Sequence, residues 1–118
     1  TTFGGGPLAC AALLAVLDSI AAAGLVEHAR ALGTRMQTAL RAGPVEEVRG
    51  RGCLIGLRVR GEARPVQRAL LDRGFITGTS ADPRVLRLLP PINLPFEAVD
   101  ALAAALATLG EPTDATLA

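Results

Sequence analysis

The first residues of the sequence, TTFGGGPLAC, are of types that could bind an anion. Thr1 and Thr2 carry hydroxyl donors. The glycines after them let backbone N–H groups converge where a helix begins and its dipole adds partial positive charge. The same stretch also suits an ordinary cap at a helix N-terminus, and this simpler interpretation is the one that the loop residues alone favour. The pattern predicts a loop before a helix, with an anion site as its functional alternative.

Arg87, in the segment VLRLLPP, is the second residue that could do chemistry. Its neighbours Val85, Leu86, Leu88 and Leu89 predict a buried strand. A buried guanidinium needs an anionic partner because it does not lose its charge. That partner is either a core carboxylate in an ion pair or the carboxylate of a substrate, held by two parallel hydrogen bonds. The residues alone leave both interpretations open.

Other polar features predict structure rather than chemistry. The segment EVRGRG, residues 47–52, has glycines on both sides of Arg51 and is interpreted as a tight connection between strands. Cys10 and Cys53 form no C-x-x-C metal pair, so we interpret both as small buried residues of a reducing compartment. His28 is interpreted as a solvated residue on a polar helix face. No metal site is predicted.

The composition limits the classes of protein to which this chain can belong. Its 118 residues are 50% hydrophobic, which predicts one globular domain with a modest core. The net charge of +1 argues against a nucleic-acid-binding or membrane-binding surface. No signal peptide pattern is present, and the apolar run 8–23 is too short to span a bilayer, so we expect a cytoplasmic protein. The chain contains no lysine, so none of its side chains can form a Schiff base.

The periodicity of apolar residues predicts two helices followed by a small sheet with helices on one side, which is an α+β fold. The predicted helices are 8–23, 25–42, 65–73 and 95–109, and the predicted strands are 45–49, 53–59, 75–79 and 85–89. The first helix is apolar on nearly every face, so we expect it to be buried or to pack against a partner. Residues 111–118 are predicted to be a flexible tail.

Three segments, TTFGGGPLAC, EVRGRGCLIGL and VLRLLPP, follow one another in an order that resembles the C-terminal part of the class III pyridoxal-phosphate aminotransferases, above all the acetylornithine aminotransferases. The resemblance runs from Thr1 to about Leu109. It implies the small C-terminal domain of a fold-type I transferase. Residues 1–24 would form the cofactor-phosphate loop and a linking helix, and residues 25–110 the small α+β domain.

The resemblance also implies roles for individual residues. Thr2, with Thr1 as a lesser contact, would bind the phosphate of pyridoxal 5'-phosphate in the neighbouring subunit of a homodimer. Arg87 would bind the α-carboxylate of the substrate. Gly6 stands where the family usually has asparagine, a departure that affects the geometry of the loop. No catalytic residue is implied within this chain, because the family's Schiff-base lysine lies in a large domain expected before Thr1.

The implied reaction is the exchange of an amino group between N-acetylornithine, or a similar ω-amino donor, and 2-oxoglutarate, as in arginine biosynthesis. The chain by itself is expected to be inactive because it has no lysine. Ornithine, 4-aminobutyrate and a carrier-bound semialdehyde are alternative substrates within the family. A stand-alone α+β module that binds an amino acid through Arg87, or has a regulatory role, is the alternative from a different functional class.

Overall fold

The computed structural model describes residues 2–110 and contains four α-helices and one four-stranded sheet within them. The elements in chain order are α1 Pro7–Ala22, α2 Leu25–Ala39, β1 Val45–Arg51, β2 Leu54–Val59, α3 Ala63–Leu71, β3 Gly78–Thr79, β4 Val85–Leu88 and α4 Phe96–Thr108. Thr1 and the predicted flexible tail, residues 111–118, lie outside the described residues.

The sheet has the strand order β1-β2-β4-β3, and every neighbouring pair is antiparallel. A tight connection does join β1 to β2, but it consists of Gly52 and Cys53, because the strand predicted to end at residue 49 continues to Arg51. Gly50 has φ 133°, and a Cβ there would lie 2.0 Å from the carbonyl oxygen of Leu54. Gly52 follows with φ 54°, a left-handed conformation that favours glycine.

The core lies between one face of the sheet and the helices α2, α3 and α4. Strand residues alternate between the two faces of the sheet, and the inward ones meet leucine, valine and methionine side chains of the helices. The buried core residues are Leu32, Met36, Leu40, Ile55, Leu57, Val59, Ala63, Leu70, Leu86, Leu88, Val99, Leu102 and Leu106. No aromatic residue is among them. The α+β architecture with helices on one side of the sheet is confirmed.

The predicted strand 75–79 is wrong in length, because only Gly78 and Thr79 pair with β4. The backbone before them turns back on α3 instead. Gly74, at φ 85°, ends the helix, and the N–H of Phe75 donates to the carbonyl of Leu70 at 2.9 Å. Gln67 Nε2 then donates to the carbonyl of Thr77 at 2.8 Å. The backbone of residues 74–77 therefore forms hydrogen bonds with α3 rather than with the sheet.

Helix α1 contributes no buried residue. Its apolar side chains lie open, with Leu8 85% and Leu14 60% exposed, and it packs chiefly against α2. Patches of this kind mark surfaces that contact another element or another molecule. Within residues 2–110 no single helix has the length and apolar character needed to cross a membrane. Only α1 and α2 taken together, bent by 64° to each other, meet that criterion.

Gly43 connects α2 to β1 at a point where the backbone of α4 comes very close. It has φ 56°, and a Cβ at this position would lie 1.9 Å from the carbonyl oxygen of Leu106. Gly61, at φ 79°, has a similar left-handed backbone, but a Cβ there would meet nothing within 4 Å. Substitution of Gly61 would therefore change stability through the backbone conformation alone, whereas substitution of Gly43 would add a steric clash.

We expect Gly43→Ala to lower the free energy of unfolding at least twice as much as Gly61→Ala. The latter carries only the cost of a left-handed alanine, about 1–2 kcal/mol, whereas Gly43→Ala must also push α4 away. Chemical denaturation of both variants measures the difference. Equal losses of stability would show that α4 does not approach Gly43 as closely as described.

Candidate active site

Arg87 lies in the middle of β4, with a glycine opposite it on each side. Its cross-strand partners are Gly56 of β2 and Gly78 of β3. Leu86 and Leu88 point into the core, so Arg87 points to the face of the sheet opposite the helices. The sequence-based expectation of a buried guanidinium is therefore wrong. Arg87 is exposed, because the apolar run around it alternates between the two faces of the sheet.

Arg87 has no carboxylate partner within residues 2–110. The acidic residues of β1, which is separated from β4 by β2, are already paired. Glu47 Oε2 accepts a hydrogen bond from Arg49 Nη2 at 2.7 Å, and Glu46 Oε2 accepts one from Arg84 Nη2 at 2.9 Å. Of the two interpretations of Arg87, the core ion pair is thus absent from the described part of the chain. The guanidinium is free to bind an anion from outside.

Glu47 and Arg49 form an exposed ion pair on β1. The hydrogen bond from Arg49 lowers the pKa of the Glu47 carboxyl, and the nearby charges of Arg49, Arg58 and Arg41 lower it further. The same hydrogen bond raises the pKa of Arg49. Both side chains stay charged over the ordinary pH range. Glu47 is therefore a charged group that is paired with Arg49, on a strand that does not adjoin β4.

A cleft of about 510 Å³ opens at the sheet edge beside Arg87. Its walls are mostly apolar and include two strongly exposed side chains, Ile76 at 90% and Leu89 at 69%. Thr77 also lines it, and the buried Oγ1 of this residue has no hydrogen-bond partner within residues 2–110. An apolar wall with one cation at its edge suits a small organic carboxylate, because the carbon chain can pack on the wall while the guanidinium binds the carboxylate.

The N-terminal loop presents Thr2 to solvent just before α1. The N–H of Gly6 donates to the carbonyl of Phe3 at 3.2 Å, Pro7 is the first helical residue, and the first turn contains no acidic side chain. The Thr2 hydroxyl has no hydrogen-bond partner within the described residues. A free hydroxyl near a helix N-terminus without a nearby negative charge fits a phosphate group.

Gly6 adopts a backbone conformation that most residues can adopt. Its φ of −70° and ψ of 159° are extended, and a Cβ would lie 3.4 Å from the carbonyl oxygen of Phe3. An asparagine would therefore fit the backbone at this position. The departure from the expected asparagine removes an amide side chain from the loop without being required by the fold.

Thr2 and Arg87 are not brought together within this chain. The residues that line the cleft beside Arg87 do not include Thr2, and α1 packs chiefly against α2 rather than against the sheet. Thr1 lies outside the described residues. The predicted cofactor contact and the predicted substrate contact are therefore two separate surfaces.

The structure corrects the sequence-based interpretation of His28 as solvated and of Cys10 as buried. His28 is half-buried rather than solvated: its Nε2 donates to the carbonyl of Leu94 at 2.8 Å, and its ring lies 5.0 Å from that of Phe96. This contact joins α2 to the start of α4, which no local pattern reveals. Cys10 is exposed, because the whole of α1 is uncovered, and Cys53 is half-buried. Burial raises the pKa of the Cys53 thiol, which makes it less reactive.

Gly78 is the site residue that the sequence does not reveal. A Cβ at this position would lie 3.4 Å from Nε and 3.6 Å from Nη2 of Arg87. The guanidinium therefore lies over the α-carbon of Gly78 at the sheet edge. Only the pairing register of β3 with β4 brings the two residues together. Within residues 2–110, no group of three or more His, Cys, Asp or Glu side chains is placed to hold a metal ion.

Comparison with known proteins assigns the family. The model of the family "Aminotransferase class-III" matches residues 1–109. Acetylornithine aminotransferase 1 of Bordetella pertussis is 40% identical over 114 residues, which cover 92% of this chain and 29% of that protein. The structure of ornithine aminotransferase from Toxoplasma gondii matches with a TM-score of 0.78 at 27% identity, over 92% of this chain and 28% of that one. The structure of acetylornithine aminotransferase from Elizabethkingia anophelis matches with a TM-score of 0.80 at 25% identity, over 92% of this chain and 31% of that one.

The chain spans less than a third of the length of each of these relatives. The family match nevertheless covers nearly all of it, including the loop before α1, the β1–β2 connection and the strand that carries Arg87. The family and the fold that the three sequence segments imply are both confirmed. This chain belongs to the class III aminotransferases, a family whose cofactor is pyridoxal 5'-phosphate.

Proposed function

We propose that this chain forms the substrate-carboxylate side of an aminotransferase that exchanges an amino group between N-acetylornithine, or a similar ω-amino donor, and 2-oxoglutarate. The observation that carries the proposal is Arg87, which is exposed, unpaired within residues 2–110 and set at the edge of an apolar cleft. A planar guanidinium in that setting is suited to hold a carboxylate through two parallel hydrogen bonds.

Arg87 serves both directions of the reaction with the dicarboxylate substrate. Glutamate and 2-oxoglutarate share the same α-carboxylate, next to the carbon that gains or loses nitrogen. One arginine can therefore orient both. The rigid strand β4, hydrogen-bonded on both sides, holds the position of that carboxylate, which is what an oriented reaction requires.

Thr2 supplies the second contact, to the phosphate of pyridoxal 5'-phosphate. When bound, that cofactor accepts the electron pair released at the substrate carbon. The hydroxyl of Thr2 and the dipole of α1 would hold the phosphate without any charge from this chain. Because Thr2 does not line the cleft of Arg87, we propose that it reaches the cofactor of a neighbouring subunit in a homodimer, with Thr1 as a lesser contact.

The remaining parts of the proposal follow from this arrangement. Residues 1–24 act as the phosphate loop and a linking helix, whose open apolar side chains pack against the large domain or the second subunit. Residues 25–110 act as the small domain. The lysine that the reaction needs comes from the large domain, since this chain contains none. We place the enzyme in the cytoplasm and in arginine biosynthesis, the pathway that uses acetylated ornithine.

Ornithine is the second candidate donor. It is favoured by the structural match to the ornithine aminotransferase of T. gondii, just as N-acetylornithine is favoured by the B. pertussis and E. anophelis relatives. The two donors differ in the charge of the α-amino group, which acetylation neutralises. Both donors react at the ω-carbon, at the other end of the carbon chain from their α-carboxylate, so the contact of Arg87 with the α-carboxylate of glutamate does not distinguish them.

A donor panel with the full-length enzyme tests the proposal. N-acetylornithine, ornithine and 4-aminobutyrate are each supplied with 2-oxoglutarate, and glutamate formation is measured. We expect the highest kcat/KM with N-acetylornithine, with ornithine second. A preference for ornithine would replace the proposed donor and keep the reaction type. Absence of glutamate formation with every donor would overturn the proposed reaction.

A further inference from the structure

We infer that Gly78 is a positioning residue for substrate binding: its lack of a side chain lets the guanidinium of Arg87 lie across the edge strand β3 toward the cleft. The inference rests on the proposed role of Arg87 as the carboxylate-binding residue. It adds a residue on a different strand, which contacts Arg87 rather than the substrate. Gly78 would thereby determine where the carboxylate is held.

The space above Gly78 is occupied by Arg87. A Cβ built on Gly78 would lie 3.3 Å from the carbonyl oxygen of Arg87, 3.4 Å from its Nε and 3.6 Å from its Nη2. The first distance is shorter than an ordinary van der Waals contact, and the other two lie at the inner end of the ordinary range. An added methyl group would therefore crowd the carbonyl oxygen of Arg87 and leave no space between β3 and the guanidinium.

Glycine is not needed at position 78 for its backbone conformation. The glycines with positive φ are Gly24, Gly43, Gly50, Gly52, Gly61 and Gly74, and Gly78 is not among them. An L-residue can adopt the backbone of β3 without strain. What a side chain would lack is room, because the carbonyl oxygen and the guanidinium of Arg87 both border the space above Gly78.

The edge strand has little freedom to move away from an added side chain. Gly78 and Thr79 both pair with β4, and the carbonyl of the preceding residue, Thr77, accepts a hydrogen bond from Gln67 of α3 at 2.8 Å. The backbone of Arg87 is also held in place, because β4 pairs with β3 on one side and with β2 on the other. The guanidinium is the flexible end of this contact, so it is the group that would shift.

A shift of the guanidinium changes the binding of substrate more than the reaction that follows. The carboxylate contact is made in the bound substrate and in the transition state alike, so weakening it raises KM and leaves kcat nearly unchanged. Misplacing a substrate-positioning group by about 1 Å can cost up to about a hundredfold. For a shift of a few tenths of an ångström we expect about a three- to tenfold rise in KM.

Gly56 provides a matched control. It is the other glycine opposite Arg87, on the same face of the sheet and one strand over. A Cβ at Gly56 would contact only Cγ1 of Val85, at 3.3 Å, and would not reach Arg87 within 4 Å. Gly56→Ala therefore adds the same methyl group to the same row of the sheet without touching the guanidinium.

The experiment compares Gly78→Ala, Gly56→Ala and Gly78→Ser in the full-length enzyme. We expect both Gly78 variants to raise the KM for glutamate and for 2-oxoglutarate, with kcat within about twofold of wild type, and Gly56→Ala to leave KM within about twofold. Calorimetric titration with glutarate, a dicarboxylate that cannot react, should show the same ranking of dissociation constants. Melting temperatures establish that each variant is folded. If Gly78→Ala does not fold, the comparison with Gly56→Ala is made with Gly78→Ser.

A double variant tests whether the effect of Gly78 passes through Arg87. Gly78→Ala should add no further rise in KM when Arg87→Ala is already present, because the contact that it disturbs is gone. Additive effects, equal effects of Gly56→Ala and Gly78→Ala, or a wild-type KM in both Gly78 variants would each overturn the inference. If Arg87→Ala itself left KM and glutarate binding unchanged, the proposed function of Arg87 would fail instead.

Discussion

Replacing Arg87 with alanine in the full-length enzyme should reduce kcat/KM for glutamate and for 2-oxoglutarate by about ten- to a hundredfold. The loss corresponds to about 1.5–3 kcal/mol, the usual contribution of a hydrogen-bonded charged contact. Both substrates should be affected because both present an α-carboxylate beside the reacting carbon. Rapid-mixing measurements of the two directions of the glutamate half-reaction give the two values separately.

Two further substitutions identify the cause of that loss. Arg87→Lys should recover little of the activity, because an ammonium group cannot form the two parallel hydrogen bonds of a guanidinium. Arg58→Ala removes a cation from the same face of the sheet, opposite Val85 rather than beside the cleft, and should change kcat/KM by less than about twofold. Unchanged kinetics of both directions in Arg87→Ala would show that Arg87 does not bind the substrate.

The 118-residue chain by itself should show no transamination when it is supplied with pyridoxal 5'-phosphate, glutamate and N-acetylornithine. The chain has no lysine, so it lacks the side-chain amine that holds this cofactor and moves its protons in the family. This is the largest effect that we expect, a complete loss relative to the full-length enzyme. The measurement is the rate of amino-group transfer above the rate with free cofactor.

Absorbance spectra alone do not decide this prediction, because the N-terminal amine can react with the cofactor aldehyde. The control is the full-length enzyme with the same substrates at the same concentrations. Turnover by the isolated chain above the free-cofactor rate would contradict the prediction. Carboxylate binding without turnover in the full-length enzyme as well would favour the alternative of a binding module that uses Arg87.

The positions of the helices and strands follow closely from the sequence. The apolar period in residues 25–40 and the alternation in 53–59 predict elements that the structure has within a few residues. These signals are local, because an apolar repeat matches the geometry of one helix or one strand. The prediction fails at residues 75–77, where hydrogen bonds to α3 replace pairing in the sheet.

The environment of each side chain follows less well from the sequence. The local pattern around Arg87 predicts burial, yet the residue faces away from the helices. His28 is predicted to be solvated, yet it binds the carbonyl of Leu94, 66 residues further along the chain. Both errors have the same origin: exposure depends on which elements cover a face, and that is a property of the packed domain.

The sequence by itself determined the family, the helix and strand order, the absence of a lysine and the candidacy of Thr2 and Arg87, because these depend on residue types and short spacings. Only the tertiary structure decided that Arg87 is open and unpaired within residues 2–110, and that Gly78 lies beneath its guanidinium. The physical reason is that strand register joins residues nine positions apart across hydrogen bonds. A local pattern cannot specify that register until the whole sheet has packed against its helices.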